Sequence, residues 1–476
     1  MRRPSLGLAW VCGLGVMSAG TPALGDAPLS AQVDPSQGVV SRFLPGPSSG
    51  PIPSPFGDER PHAIPRVVFA EAVSRAMRYG AAVLSAQSEA HQKDAQVIQA
   101  RAASLPSLTV GGLYSRLDAD RVLGQGDTQR LVAGANQLSG NLTVSVPLFA
   151  PARWAAWLHA RDNLEVARFA ERDTRNKAAL AAARAYLLVL AQKRLLAIAE
   201  RASAVANEHF VFASRRQQEG LGHRLDELRA QTEQSITRSQ LHQARAALRK
   251  SQENLGVLIG HDGPIDAHNE PEFPAWPPEA AEAAEAMATS QLVMRRQDLA
   301  AIQTRAWAAA RLLRHRFTDY LPTLSGSFAP FFQDPPSIVQ PLLGWQARVE
   351  LTWNLFDGGL RYGQRAERQA QYEQIQAVRW SALLAARSEV RAATFAVAEA
   401  RETRAAAEQA KQAAQQAAEM AEKAFLAGAT SNLEVIDANR RAQDAHAQAI
   451  QALDALLLAQ LERLYATGHF PPTQPP

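Results

Sequence analysis

Two stretches of the chain, 151–220 and 358–428, are almost free of Pro and Gly, and small apolar residues return in them every three or four positions among Arg, Glu and Gln. In the second the rhythm runs through Ala393, Ala396, Ala400, Thr403, Ala407, Ala410, Ala414, Ala417, Ala421 and Ala424. It resumes after a turn at Val435, Ala438, Ala442, Ala445, Ala449, Ala452, Leu456 and Ala459. A three-four spacing is the heptad signature of packed helices. At 1.5 Å per residue each long stretch reaches roughly 100 Å. Small seams bring helices close but bury little apolar area per residue, so one hairpin needs further neighbours. An ordinary antiparallel coiled coil is the plain alternative.

A second pattern has period two. Asn141–Val146 and Val349–Leu355 alternate apolar and polar residues, and Leu108–Leu117 and Leu324–Phe332 are less regular, Gly-containing partners. The pattern predicts four strands with one apolar face each. Strands of about ten residues suit a tilted bilayer crossing. Four cannot close a barrel, and an open edge in lipid leaves backbone groups unsatisfied. Either copies of the chain share a barrel, or the strands form a small soluble sheet on helices. A helix over 67–103, stopping before Pro106, and a counterpart over 283–319 complete the elements.

These elements occur twice. The tract 220–260 returns at 428–468, displaced by 208 positions, with Leu225 over Leu433, Asp226 over Glu434, Leu228 over Ile436 and Ala230 over Ala438. Leu105-Pro106-Ser107-Leu108 matches Leu321-Pro322-Thr323-Leu324, and Leu148-Phe149 matches Leu355-Phe356. Such duplication argues for one pseudo-symmetric body. The expected division is a signal peptide over 1–25, a disordered Pro/Gly/Ser-rich arm over 26–65, and a first repeat over 66–260. A linker over 261–282, a second repeat over 283–469 and a Pro-rich tail over 470–476 follow. The turn 118–137 is longer than its counterpart, a surface-loop difference.

Charge and chemistry narrow the function. The net charge is +4, with basic and acidic residues interleaved and no basic block, which argues against nucleic acid as a partner. Met1-Arg2-Arg3, the apolar run to Met17 and the small residues through Gly25 have the form of a secretory leader. The single cysteine, Cys12, lies inside that run, so the mature chain is expected to be free of thiols and of a lipid-anchoring cysteine. Phosphate-cradling, zinc-protease and cysteine-cluster motifs are absent, so neither an enzyme nor a cofactor is expected. His261 and His268, with Asp262 and Asp266 between them, could ligate a metal, but their Pro-rich surroundings argue against it.

Two motifs are the most specific: Asn354-Leu355-Phe356-Asp357-Gly358-Gly359 with Arg361, and Phe425-Leu426-Ala427-Gly428-Ala429-Thr430-Ser431-Asn432-Leu433-Glu434-Val435-Ile436-Asp437-Ala438. With the tandem order of elements, they make nearly the whole mature chain resemble the TolC-like outer membrane factors. The resemblance implies a mainly α fold with a small β part. Four strands per chain form a 12-stranded β-barrel in a homotrimer, continued by a long periplasmic coiled-coil tunnel. It implies contact with outer membrane lipid, a periplasmic adaptor (membrane fusion) protein, and an inner-membrane ABC exporter or proton-driven pump. Type I protein secretion, as of a toxin, is favoured over small-molecule efflux because many efflux members are lipidated. A structural coiled-coil envelope protein is the other class considered.

By the same resemblance, the adaptor meets the tip turns Gly220, Leu221, Gly222, Gly428 and Ala429, and Asp226, Glu434 and Asp437 form carboxylate rings at the periplasmic mouth. Phe425 and Thr430 fall in the gating network; Thr430 stands where some members carry an arginine, for which His223 and Arg224 are the candidate substitutes. A plainer reading stands beside this one. Glycines make tight turns, Ser431 with Glu434 reads as a capping box, and acidic residues in a first turn favour the helix dipole.

Overall fold

The computed structural model describes residues 64–124, 130–220, 223–273, 295–338, 340–427 and 429–470. The leader, the arm up to residue 63, 274–282 of the linker and 471–476 of the tail lie outside the described residues. Repeat 1 contains β1 (Arg66–Val67), α1 (Phe69–Tyr79), α2 (Ala81–Ala102), β2 (Ser107–Arg116), β3 (Arg121–Leu123), β4 (Arg130–Ala133), β5 (Asn136–Phe149), α3 (Pro151–Gln218) and α4 (Arg224–Leu258). After β6 (Asp266–Ala267), repeat 2 contains α5 (Gln297–Arg314), a 3-10 turn (His315–Tyr320), β7 (Thr323–Asp334), β8 (Leu343–Thr352), α6 (Leu360–Leu426) and α7 (Asn432–Ala466). Both hairpins keep the 208-residue displacement at three boundaries: Gln218 and Leu426, Arg224 and Asn432, Leu258 and Ala466.

The four long strands form one antiparallel sheet in the order β2-β5-β7-β8, so β2 and β8 are its edges. The register sorts the side chains. Leu343, Trp345, Ala347, Val349 and Leu351 of β8 share a face with Leu324, Phe328 and Phe332 of β7, Leu138, Leu142 and Val144 of β5, and Leu108, Val110 and Tyr114 of β2. The reverse face carries Gln346, Arg348, Glu350, Ser325, Ser327, Asn141, Thr143 and Thr109. Val110, Leu343, Trp345, Val349 and Leu351 are exposed, so an apolar face is left bare on a sheet with two open edges. Along β8 this face runs from Leu343 to Leu351, about 26 Å at 3.3 Å per residue. Among the described residues no helix is long and apolar enough to cross a membrane.

Three expectations change. The helix over 67–103 is two helices, parted at Gly80, whose ψ of 130° leaves the helical region while its N–H still bonds Ala76 O at 3.1 Å. Residues 66–67 instead pair in parallel with Asp266–Ala267, so part of the expected linker is a buried ribbon. There Asp266 accepts from Lys193 Nζ at 2.9 Å and Gln252 Nε2 at 3.2 Å. Among the described residues no cluster of metal-ligating side chains is found. The turn 118–137 also holds structure, the β3–β4 pair.

In the helical body α3 packs against α4 and α7, and α7 against α6, which leaves α4 and α6 as edges. The main core joins α1 and the ribbon to α3, α4 and α7: Tyr186, Leu187, Val189, Leu255, Ile259, Ile265 and Leu461 are fully buried. Tyr186 Oη donates to Asn269 O at 2.8 Å and meets Phe69 edge-on. Above its last turn, where Ala424 is half-buried, the seam of α6 is covered on one row only. Ala393, Val397, Ala400, Ala407 and Ala414 are buried or half-buried, whereas Ala396, Thr403, Ala410 and Ala417 are exposed.

Candidate functional site

The two hairpin tips lie at matched ends of the repeats. At the first, α3 closes with Arg215 and Arg216 in its last turn, where cations favour the dipole. Gly220 follows with φ +75°, bonded to Gln217 O at 3.1 Å, and open space surrounds the place of a Cβ. The backbone angle, not crowding, is what favours glycine there. His223 is the extended N-cap of α4, and its carbonyl accepts from Asp226 N at 3.0 Å. Leu221, Gly222 and Gly428 lie outside the described residues. At the second tip, Ala429 N bonds Ala424 O at 2.8 Å, back onto the last turn of α6.

Each candidate carboxylate has a local partner. Asp226 lies 3.9 Å from Arg229, and Asp437 pairs with Arg441 at 2.8 Å along one helix face. Glu434 accepts from the Thr430 hydroxyl, so Thr430 acts within its own turn. The expected capping box is not formed: Ser431 is the extended N-cap of α7 but makes no side-chain cap, and the Glu434 carboxylate meets Thr430. Arg224 is likewise held locally by Glu227, which also accepts from Ser214 Oγ at 3.2 Å across the hairpin.

The contacts that join the two repeats near the tips involve Phe425, Asp226 and several residues beyond the candidates. Phe425 meets Phe212 edge-on at 5.9 Å, and the Arg216 guanidinium lies 5.7 Å from the Phe212 ring and 5.9 Å from Phe425. Asn439 Nδ2 is 3.3 Å from His209 Nε2, Arg440 pairs with Glu233 at 2.6 Å, and Asn432 Nδ2 donates to Asp226 O at 3.5 Å. Of the sequence-stated candidates, Phe425 and Asp226 are thus brought to the other repeat. Phe212, Arg216, His209, Glu233, Asn439 and Arg440 were missed. Their signal was the mismatch between copies: Arg216 lies over Ala424, Phe212 over Met420, Glu233 over Arg441 and Arg440 over Thr232.

At the opposite end, Gly358 and Gly359, with φ of +67° and +94°, turn the chain from β8 into α6. Asp357 accepts from Gly359 N and Arg361 N, each at 3.2 Å, and from Arg361 Nε at 2.6 Å. Desolvation raises the Asp357 pKa, but these bonds outweigh it and hold the carboxyl below its ordinary value. Arg361 Nη2 also donates to Leu355 O at 3.1 Å, and its guanidinium stacks on Tyr320. The Phe-Asp-Gly-Gly motif is therefore a strand-to-helix cap.

The family model for outer membrane efflux proteins matches residues 73–261 and 288–468, most of the chain, in two tandem stretches. The chain belongs to the outer membrane efflux protein family. Efflux proteins of this family are passive outer membrane channels with a periplasmic helical tunnel, and they work with a periplasmic adaptor and an inner-membrane pump. Solved outer membrane protein structures share the fold at low identity. The Campylobacter jejuni CmeC channel matches at 15% identity and TM-score 0.71, over 84% of this chain and 85% of that one. Vibrio cholerae VceC matches at 17% and 0.68, over 84% and 96%, and the open Neisseria gonorrhoeae MtrE channel at 15% and 0.67, over 85% and 89%. A comparison with curated proteins finds no match.

Proposed function

We propose that three copies of this efflux-family chain form one conduit through the outer membrane, passing protein cargo from the periplasm outward in type I secretion. The observation that carries the trimer is the four-stranded sheet, with open edges at β2 and β8 and a bare apolar face of bilayer dimensions. Closing it with further copies satisfies the edges, and three copies supply the twelve strands that the family resemblance implies. Exposure of Ala396, Thr403, Ala410 and Ala417 on the edge helix α6 supports the same closure below the sheet. Mass measurement of the detergent-solubilised channel should give three chains; a folded monomer would sink the shared barrel.

The tip turns at Gly220 and Ala429, with Leu221, Gly222 and Gly428, are the proposed adaptor contacts, and Asp226, Glu434 and Asp437 the proposed cation rings. Asp437 is more accessible than Asp226, with 52% of its side chain exposed against 35%, and its pairing with Arg441 costs little to break at a surface. Asp437→Ala should weaken divalent-cation block of single-channel current; an unaltered block removes the assignment. Secretion is assigned over small-molecule efflux on the position of Cys12 within the leader run. A deletion strain should lose a large protein from its culture supernatant. Loss of drug resistance with secretion intact would reassign the cargo.

A further inference from the structure

A cavity of about 330 Å³ opens where α3 meets the start of α5 and the end of α7, and four arginines and two aspartates stand in its wall. Both aspartates are already engaged, Asp173 with Lys177 at 2.8 Å and Asp298 with Arg296 at 2.7 Å. Arg175 is held by Glu171 through Nη2 at 2.5 Å, while its Nε–H is buried with no acceptor. The other two cations are held by uncharged groups. Arg172 lies 5.0 Å from the Phe169 ring, and Arg295 Nη1 is 3.0 Å from His469 Nε2. A guanidinium only donates, so that imidazole accepts and is neutral, with its proton on Nδ1, 3.0 Å from Thr467 Oγ1. Desolvation, then Arg295, lowers the His469 pKa in keeping with this. Neither Arg172 nor Arg295 has a carboxylate within ion-pair distance among the described residues.

These cations belong to one copy of the duplicated scaffold. Gly468 packs on Arg295 as Gly260 packs on Tyr79: the place of a Cβ lies 2.8 Å from Arg295 Cβ in one and 2.7 Å from Tyr79 O in the other. A displacement of 208 residues carries Arg172 and Arg175 onto Trp380 and Leu383. The scaffold thus forms without charge at these three positions, and packing does not require it. We propose that this cavity binds a small organic anion, a carboxylate or phosphate head on an apolar body of roughly ten heavy atoms. Arg172, Arg295 and the Arg175 Nε–H are the donors for the head. Gln297 Oε1, buried without a donor, accepts from a hydroxyl or amide N–H of the ligand. Met77, Tyr465 and Phe470 give the body an apolar wall. Inorganic phosphate would use the cations but leave that wall without a partner. The α5 helix begins here with no side-chain cap, so its dipole adds to the same field.

The test is calorimetric titration of the full-length channel in detergent with mandelate, phenyl phosphate, inorganic phosphate and the uncharged 1-phenylethane-1,2-diol. Mandelate and phenyl phosphate carry the two heads, and the tighter of them tells which one the cavity takes. The diol should bind more weakly than mandelate by about tenfold or more. The double variant Arg172→Gln/Arg295→Gln should lose about tenfold or more of the affinity for the anions. Arg295→Tyr, the residue repeat 1 carries there, should fold as the native channel does and show a similar loss. Arg404→Gln, a cation of α6 outside the cavity wall, should bind as the native channel does. Binding of neither organic anion overturns the proposal. So does equal affinity in the native channel and the double variant, or inorganic phosphate binding as tightly as phenyl phosphate. Neither trimer closure nor cargo enters this test.

Discussion

Gly80 and Arg296 occupy the same position in the two repeats, each the residue before the helix that leads to a Leu-Pro turn, and they solve the same packing problem in opposite ways. In repeat 1 the place of a Gly80 Cβ is 2.6 Å from Ala76 O and 3.5 Å from Leu258 O. In repeat 2 the equivalent of Leu258 is Ala466, and Arg296 Nη1 donates to that carbonyl at 3.4 Å. The same guanidinium pairs with Asp298 and Glu389, each at 2.7 Å, where repeat 1 carries Ala82 and Ala181. Burial works against the Arg296 charge, but the two carboxylates more than offset it and raise its pKa; desolvation opposes and Arg296 then lowers that of Asp298. A duplicated scaffold therefore tolerates either close backbone contact or a buried arginine paired with two partly exposed carboxylates at one point. Charge enters only where side chains replace small residues in concert.

The largest expected effect comes from breaking the triad. Arg296→Ala leaves Asp298 and Glu389 facing an uncovered carbonyl and should cost about 2–4 kcal/mol in thermal unfolding of the channel, the lower part allowing for the exposure of Glu389. Replacing Arg296, Asp298 and Glu389 together by Ala, as repeat 1 has it, should cost less than the single change. A triple variant less stable than Arg296→Ala would dissolve the comparison. Next comes the converse: Gly80→Ala places a methyl 2.6 Å from a backbone oxygen and should cost about 1–3 kcal/mol, whereas a Tm equal to that of the native channel would mean the two helices part freely.

The smallest effect is expected at the seam between the repeats. His159 of α3 lies 5.5 Å from His315 of the 3-10 turn, beside the Arg311–Asp162 pair and Arg368, which is held by Asp319. Burial, then His315, lowers the His159 pKa, with Asp162 opposing and Arg368 and Arg311 adding to it. The unfolded chain thus takes up the proton first as pH falls. Stability is full above about pH 6.5 and declines as pH drops through and below that value. Native channel should lose about 1 kcal/mol or less between neutral and mildly acid pH, and His159→Gln should flatten the profile. An identical slope in both proteins would remove His159 as the origin.

Periodicity made the long helices and the four sheet strands legible, because each buries one face over many turns. The break at Gly80 was not, since a glycine inside a helical pattern is tolerated, and only the extended ψ of 130°, which puts the place of a Cβ 2.6 Å from Ala76 O, marks where the helices part. The β1–β6 ribbon is two residues on each side, too short for any alternation to register. At the tips, Ser431 and Glu434 matched a local rule, but the Glu434 carboxylate meets Thr430 instead. The rows of α6 show the same limit: both repeat every seven residues, and only the placement of α7 decides which is covered.

The Asp357-Gly358-Gly359 cap also sets the mechanics of the second hairpin. It fixes the start of a single 67-residue helix, a rod roughly 100 Å long at 1.5 Å per residue. A rotation of one degree at that pivot displaces the far end by roughly 2 Å, more than a hydrogen bond survives. The two glycines and the Asp357–Arg361 clasp therefore set the direction in which this rod leaves the sheet, and a small change there is amplified at its far end.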